Sequence, residues 1–181
     1  MKAQASVPSR IPDAAVIDRW TTATIAIGSA MFVFGLTIAA VFAPEWRVLH
    51  VLQALIYVTV VATARRKSAW GFGAGLAVAV FWNALSVFVT ADAQDGIKEL
   101  GTLMRTGHSQ RPDVLLSLFA FCGHLLIIIG CTVGFIRLRP SAYRWAQFLG
   151  GGIAALSYLI VIVFVSGPPQ GVELMKHVLG I

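Results

Sequence analysis

Apolar residues dominate five stretches of this chain, residues 21–43, 48–64, 68–90, 114–136 and 145–166, and none of the five carries Asp, Glu, Lys or Arg. The stretches are 23, 17, 23, 23 and 22 residues long. A bilayer core about 30 Å thick takes roughly 20 helical residues. Four stretches exceed that length. The second reaches it if Arg65, at its end, extends its head group to the interface. A helix on the surface of a water-soluble core keeps one charged face at a 3.6-residue period, and no stretch here has one. The pattern predicts an all-α fold, a polytopic membrane protein built as a bundle of five transmembrane helices.

The segments between the stretches differ in character. Residues 91–113 form a loop too long for a plain connection. Within it, "DAQDGIKELGTLMRTG" sets Ile97, Leu100, Leu103 and Met104 at helical spacing, with Asp92 as the expected N-cap and Gly107 as the expected stop. This predicts an amphipathic surface helix in the third loop. The tail 167–181, after "GPPQG", repeats the pattern more weakly through Val172, Met175, Val178 and Leu179. Such helices either cover one end of the bundle or act as a lid over a pocket. Residues 1–20 read as a polar tail in which Asp13 or Asp18 opens a short helical lead-in. They do not read as a signal peptide, because the apolar run that follows is too long for a signal core.

Composition supports the same class. Hydrophobic residues make up 57% of the chain and charged residues 12%, against about 25% charged in soluble domains. The net charge of +6 in isolation suits nucleic acid, but the cations gather at the ends of apolar runs, which is the footprint of membrane orientation and not of a phosphate-tracking groove. With the N-terminus placed in the cytoplasm, the inner segments hold Lys2, Arg10, Arg19, Arg65, Arg66, Lys67, Arg137, Arg139 and Arg144 against Asp13 and Asp18. The outer segments hold the remaining five cations and six acids. The bias predicts a cytoplasmic N-terminus and an extracytoplasmic C-terminus. Compact size and this bias point to a bacterial inner membrane. Trp20, Trp70 and Trp145 fall at the inner interface and Trp46 at the outer one. Cys122 and Cys131, nine residues apart on one helix, face opposite ways about 13 Å apart along the axis and cannot bridge.

Lipid supplies no hydrophobic drive between helices, so small residues must let backbones approach. Gly71, Gly75 and Ala79 recur every four residues toward Asn83. Gly130 and Gly134 form a GxxxG, and Gly150, Gly151 and Gly152 open the fifth stretch. These seams serve packing within the chain, between copies as a homo-oligomer, or against another membrane protein.

Polar side chains inside the stretches are few. His50, Gln53 and Tyr57 share one helix face at i, i+3 and i+7. At about 1.5 Å per residue, Gln53, Tyr57, Asn83, His124 and Ser157 all fall roughly 8–15 Å below the outer boundary. Tyr158, Thr37 and Ser86 belong to the same layer. The inner half offers little beyond threonines, which bond their own helix. The layer is either a clamp between helices or a pocket open to the outer side. His124 admits three roles: haem ligand, metal ligand with Cys131, or hydrogen-bond donor to a quinone or another apolar molecule. Haem lacks a second histidine at matching depth, because His50 sits about 12 Å higher. A metal has two donors and no carboxylate. No HExxH, P-loop or GxSxG is present, and no charged residue lies inside a stretch to couple protons.

Three functions follow as expectations. The first is a non-catalytic integral membrane protein that binds or passes a small neutral or apolar ligand through Gln53, Tyr57, Asn83, His124 and Ser157. The second is a redox component with haem or quinone at His124. The third is a structural subunit of a larger membrane complex that docks through its glycine faces. The pattern assigns no cofactor.

Overall fold

The computed structural model describes residues 14–181, with side chains from residue 19 onward. The fold is an all-α bundle, with no strand among the described residues. Its helices are α1 (Ala14–Phe42), α2 (Arg47–Arg65), α3 (Ala69–Phe88), α4 (Asp92–Thr106), α5 (Pro112–Ile136), α6 (Arg144–Ser166) and α7 (Pro169–Leu179). A 3-10 turn at Pro44–Trp46 joins α1 to α2. Five segments are long and apolar enough to cross a membrane: Arg19–Phe42, Pro44–Arg65, Ala69–Phe88, Pro112–Arg137 and Arg144–Ser166. In hydrocarbon a spanning backbone must satisfy its own hydrogen bonds, and the helix does so within one segment. The 3-10 turn extends the second segment to 22 residues, which removes its apparent shortness. Helix α1 starts well before residue 21, so the lead-in and first stretch are one helix. Asp13 and the side chain of Asp18 lie outside the described residues.

The broadest helix contacts are α1 on α5 and α3 on α6, and α5 also packs on α3 and α4. Close approach explains both main seams. A Cβ at Gly28 meets the Gly123 carbonyl across α1 and α5. A Cβ at Gly73 meets the Phe148 carbonyl, and one at Gly151 meets the Trp70 carbonyl, across α3 and α6. The predicted small residues sit in this packing too. Gly71 faces Thr63, and an added Cβ would come 2.7 Å from Cys131 Sγ at Gly75, 2.6 Å from the Ile25 side chain at Gly130 and 2.6 Å from the Phe72 ring at Gly134. Ala79 is fully buried. Large apolar side chains such as Val51, Leu55, Val58, Ile129 and Val161 cover the outside of the bundle. A hydrocarbon solvent accommodates that surface.

Helix α4 departs from its sequence reading in two details. Asp92 is its first residue and not its cap. The residue before it, Ala91, has φ 60° and makes no side-chain cap. The Asp92 carboxylate instead accepts the Thr90 hydroxyl at 2.8 Å and complements the dipole of the first turn. Secondly, α4 docks on the bundle by Ala93, Gly96 and Glu99, while Ile97, Leu100 and Met104 face outward, Met104 being 80% exposed. Gly107, at φ 71°, ends the helix as expected. In α7, Met175 is buried, whereas Val178 and Leu179 stay exposed.

Glu99 holds this arrangement. Its Oε1 accepts the Ser109 hydroxyl at 2.8 Å, the Arg111 N–H at 3.0 Å and the Gln110 N–H. The Arg111 N–H, then the Ser109 hydroxyl, hold the Glu99 carboxyl below its ordinary range. A depressed folded pKa stabilises above the ordinary glutamate value, about 4.3, and that stabilisation is lost as pH falls through the folded value. Hydrogen exchange across residues 100–111, corrected for intrinsic rates, is therefore expected to show protection at about pH 6 that is lost as the pH falls well below the ordinary glutamate value. Glu99→Ala is expected to lose it at both. Equal protection in every case contradicts this clamp.

Candidate functional site

Where α1, α2, α3 and α5 meet below α4, the bundle leaves a cavity of about 240 Å³. Each helix contributes at its own register. Phe32, Leu36 and Ala39 come from α1, Trp46 from the 3-10 turn, and His50 and Gln53 from α2. Helix α3 supplies Trp82, Asn83 and Ser86. Helix α5 supplies Ser117, Phe121 and His124, and Asp92 stands at the start of α4. The i, i+3 spacing of His50 and Gln53 turns both toward the cavity. A second recess of about 190 Å³ lies beneath α7, and Trp46, Trp82, Ser86 and Asp92 line both.

The inner limit of the cavity is a buried polar pair. The Tyr57 hydroxyl and His124 Nε2 lie 2.7 Å apart in a hydrogen bond. The residues are 1% and 2% exposed. Phe32 packs on both, with ring centroids 4.5 Å from Tyr57 and 4.1 Å from His124. Such a bond between membrane helices contributes typically ~0.6 kcal/mol and at most about 1–2. Below the pair, Ile25, Val60, Val78 and Ile127 are buried and close the core.

Asn83 behaves differently. It is 8% exposed, and neither its Oδ1 nor its Nδ2 has a hydrogen-bond partner within the chain. Two more cavity groups share that condition, His50 Nδ1 and Trp82 Nε1. A buried polar group without a partner costs about 1–3 kcal/mol. Three such residues line one cavity, with their donors and an acceptor buried in its wall. Trp46 stacks on His50 at 5.9 Å, and Phe81 meets Trp82 edge-on at 5.6 Å. The site therefore joins flat aromatic walls to a few fixed polar atoms.

The layer expected from the sequence is brought together in part. Gln53, Asn83 and His124 line the cavity, and Tyr57 sits behind His124. Ser157 does not join them, because it is exposed on the outer face of α6. Its neighbour Tyr158 donates to the Leu52 carbonyl at 3.2 Å, and Thr37 bonds its own helix at Val33. The aromatic members Phe32, Trp46 and Trp82 escape a search for polar residues. Trp82 carried a usable signal, since an indole N–H deep in an apolar stretch needs a partner. Among the described residues no group of three His, Cys, Asp or Glu side chains lies close enough to hold a metal ion. Comparison with protein-family profiles, curated proteins and solved structures finds no match to this chain.

Proposed function

We propose that this is a non-catalytic, multi-pass inner-membrane protein that binds a small neutral ring compound in the cavity beside Asn83. The N-terminus is cytoplasmic, and the α4 and α7 end faces the exterior. The observation that carries the reading is the Asn83 amide, buried and without a partner on the cavity wall. A volume of about 240 Å³ falls below the ~300–1,000 Å³ of drug-sized pockets, so the ligand is small. The aromatic walls favour a flat molecule. Its own carbonyl or hydroxyl groups complement Asn83, Trp82 Nε1 and His50 Nδ1, as a quinone-like head group does. The closed core beneath Tyr57 and His124 favours binding over passage. Haem at His124 is disfavoured, because Nε2, a usual iron-binding nitrogen, is already engaged by Tyr57.

A clamp and a pocket make opposite predictions at Asn83. Asn83→Leu is expected to leave the thermal midpoint of the detergent-solubilised protein unchanged or raised, since no bond within the chain is lost. The same variant is expected to abolish the stabilisation and tryptophan quenching that short-chain ubiquinone or menaquinone analogues give to the parent protein. A midpoint lowered by Asn83→Leu, with quinone response intact, contradicts the proposal.

A further inference from the structure

The opposite end of the bundle holds a larger recess, about 710 Å³, between the α2–α3 turn, the α5–α6 connection and α1. Arg137, Arg139, Arg144 and Lys67 line it, and its described lining includes no Asp or Glu. Arg144 is held in place. Its Nη1 donates to the Leu138 carbonyl at 3.2 Å, and its guanidinium lies 5.4 Å from the Phe135 ring centre and 5.9 Å from that of Trp145. Arg137 and Arg139 are exposed, and the ion pairs among the described residues all involve other side chains. The Ser68 and Ser141 side chains add hydroxyls to the rim. Phe72 and Gly134 give the recess an apolar floor that continues into the spanning helices.

We propose that this recess binds the phosphate of an anionic lipid head group. Guanidinium groups match phosphate oxygens in planar, two-pronged geometry. Basic pockets between spanning helices on the cytoplasmic side hold lipid head groups by this chemistry. The apolar floor selects the lipid over a free anion, since an acyl chain and glycerol backbone have a surface to rest on. The start of α3 at the recess, where Ser68 makes no side-chain cap, adds free N–H groups and the positive helix end.

The test uses the full chain in nanodiscs, with lipid retention read by native mass spectrometry. Phosphatidylglycerol is expected to be retained about tenfold over phosphatidylcholine. The double variant Arg137→Gln/Arg139→Gln is expected to bring the ratio near parity, and Arg137→Lys/Arg139→Lys to keep most of it. Arg65→Gln/Arg66→Gln removes equal charge from outside the recess and is expected to leave the ratio unchanged. Displacement of the lipid by millimolar inorganic phosphate alone supports the anion site and assigns it to a soluble phosphate. Equal retention of the two lipids, or an equal loss in the Arg65/Arg66 control, overturns the proposal.

Discussion

Gly73→Val is expected to cost about 3 kcal/mol of stability, with loss of the α3–α6 seam. The carbonyl of Phe148 occupies the place of a Cβ at residue 73, and the Phe148 Cα lies 3.0 Å from it. The obstacle is backbone, so no side chain can rotate to relieve it, and the two helices must separate. Gly151 stands in the mirrored position against the Trp70 backbone, so Gly151→Val is expected to act alike. In lipid, close packing is the main source of attraction between helices, and a gap along this seam removes it. Two other glycines serve as controls. A Cβ at Gly101 meets nothing within 4 Å, and one at Gly35 finds Ala120 at an ordinary 3.6 Å. Gly101→Ala and Gly35→Ala are expected to be neutral or to stabilise by up to about 1 kcal/mol through helix propensity. Chemical unfolding in mixed micelles reads all four variants. Equal stability for Gly73→Val and Gly101→Ala removes the seam from the account.

His124→Ala is expected to destabilise by about 2–4 kcal/mol, by leaving a void under Phe32 and stranding the Tyr57 hydroxyl. Tyr57→Phe keeps the ring and removes only the hydroxyl, so its expected cost is smaller, about 1–2 kcal/mol. Because the two side chains share one bond of 2.7 Å, the double variant is expected to cost less than the sum of the singles by about 1 kcal/mol. Additive costs, within about 0.3 kcal/mol, contradict a direct bond. The pair is thus the clamp in this polar layer, whereas Asn83, one cavity wall away, is unpartnered.

The five spanning helices were legible because lipid leaves a strong trace in sequence: charge is excluded over whole stretches and collects at their ends. Depth was legible too. Counting residues brings Gln53, Asn83 and His124 to one level, and they line one cavity. Azimuth was less so. Ser157 has the right height and the wrong face, because an apolar stretch all round gives no marker for which side turns inward. Helix α4 shows the same difficulty in stronger form. Of its apolar stripe, Ile97, Leu100 and Met104 point away from the bundle while Leu103 is half-buried, and the docking face is Ala93, Gly96 and Glu99. A hydrophobic stripe marks the core in water, but beside a membrane it marks the lipid equally well. The Gly28–Gly123 and Gly73–Phe148 approaches were missed because a glycine's role depends on which backbone lies opposite. The aromatic walls were missed because Phe32 and Trp82 look like ordinary span residues until the helices are assembled.

The cavity beside Asn83 is expected to open to water at the α4 and α7 end, opposite the basic turns. Substituted-cysteine labelling in sealed vesicles tests this directly. In a Cys122→Ser background, with Cys131 retained because it is fully buried, Ser86→Cys and Ser117→Cys are expected to react with a small charged thiosulfonate from the exterior. Reaction is expected to slow in the presence of a bound quinone analogue. Ser157→Cys, on the lipid-facing surface, is expected to stay unreactive from either side, and Arg66→Cys to react only from the cytoplasmic side. Unreactive thiols at residues 86 and 117, or labelling of residue 66 from the exterior, contradict it.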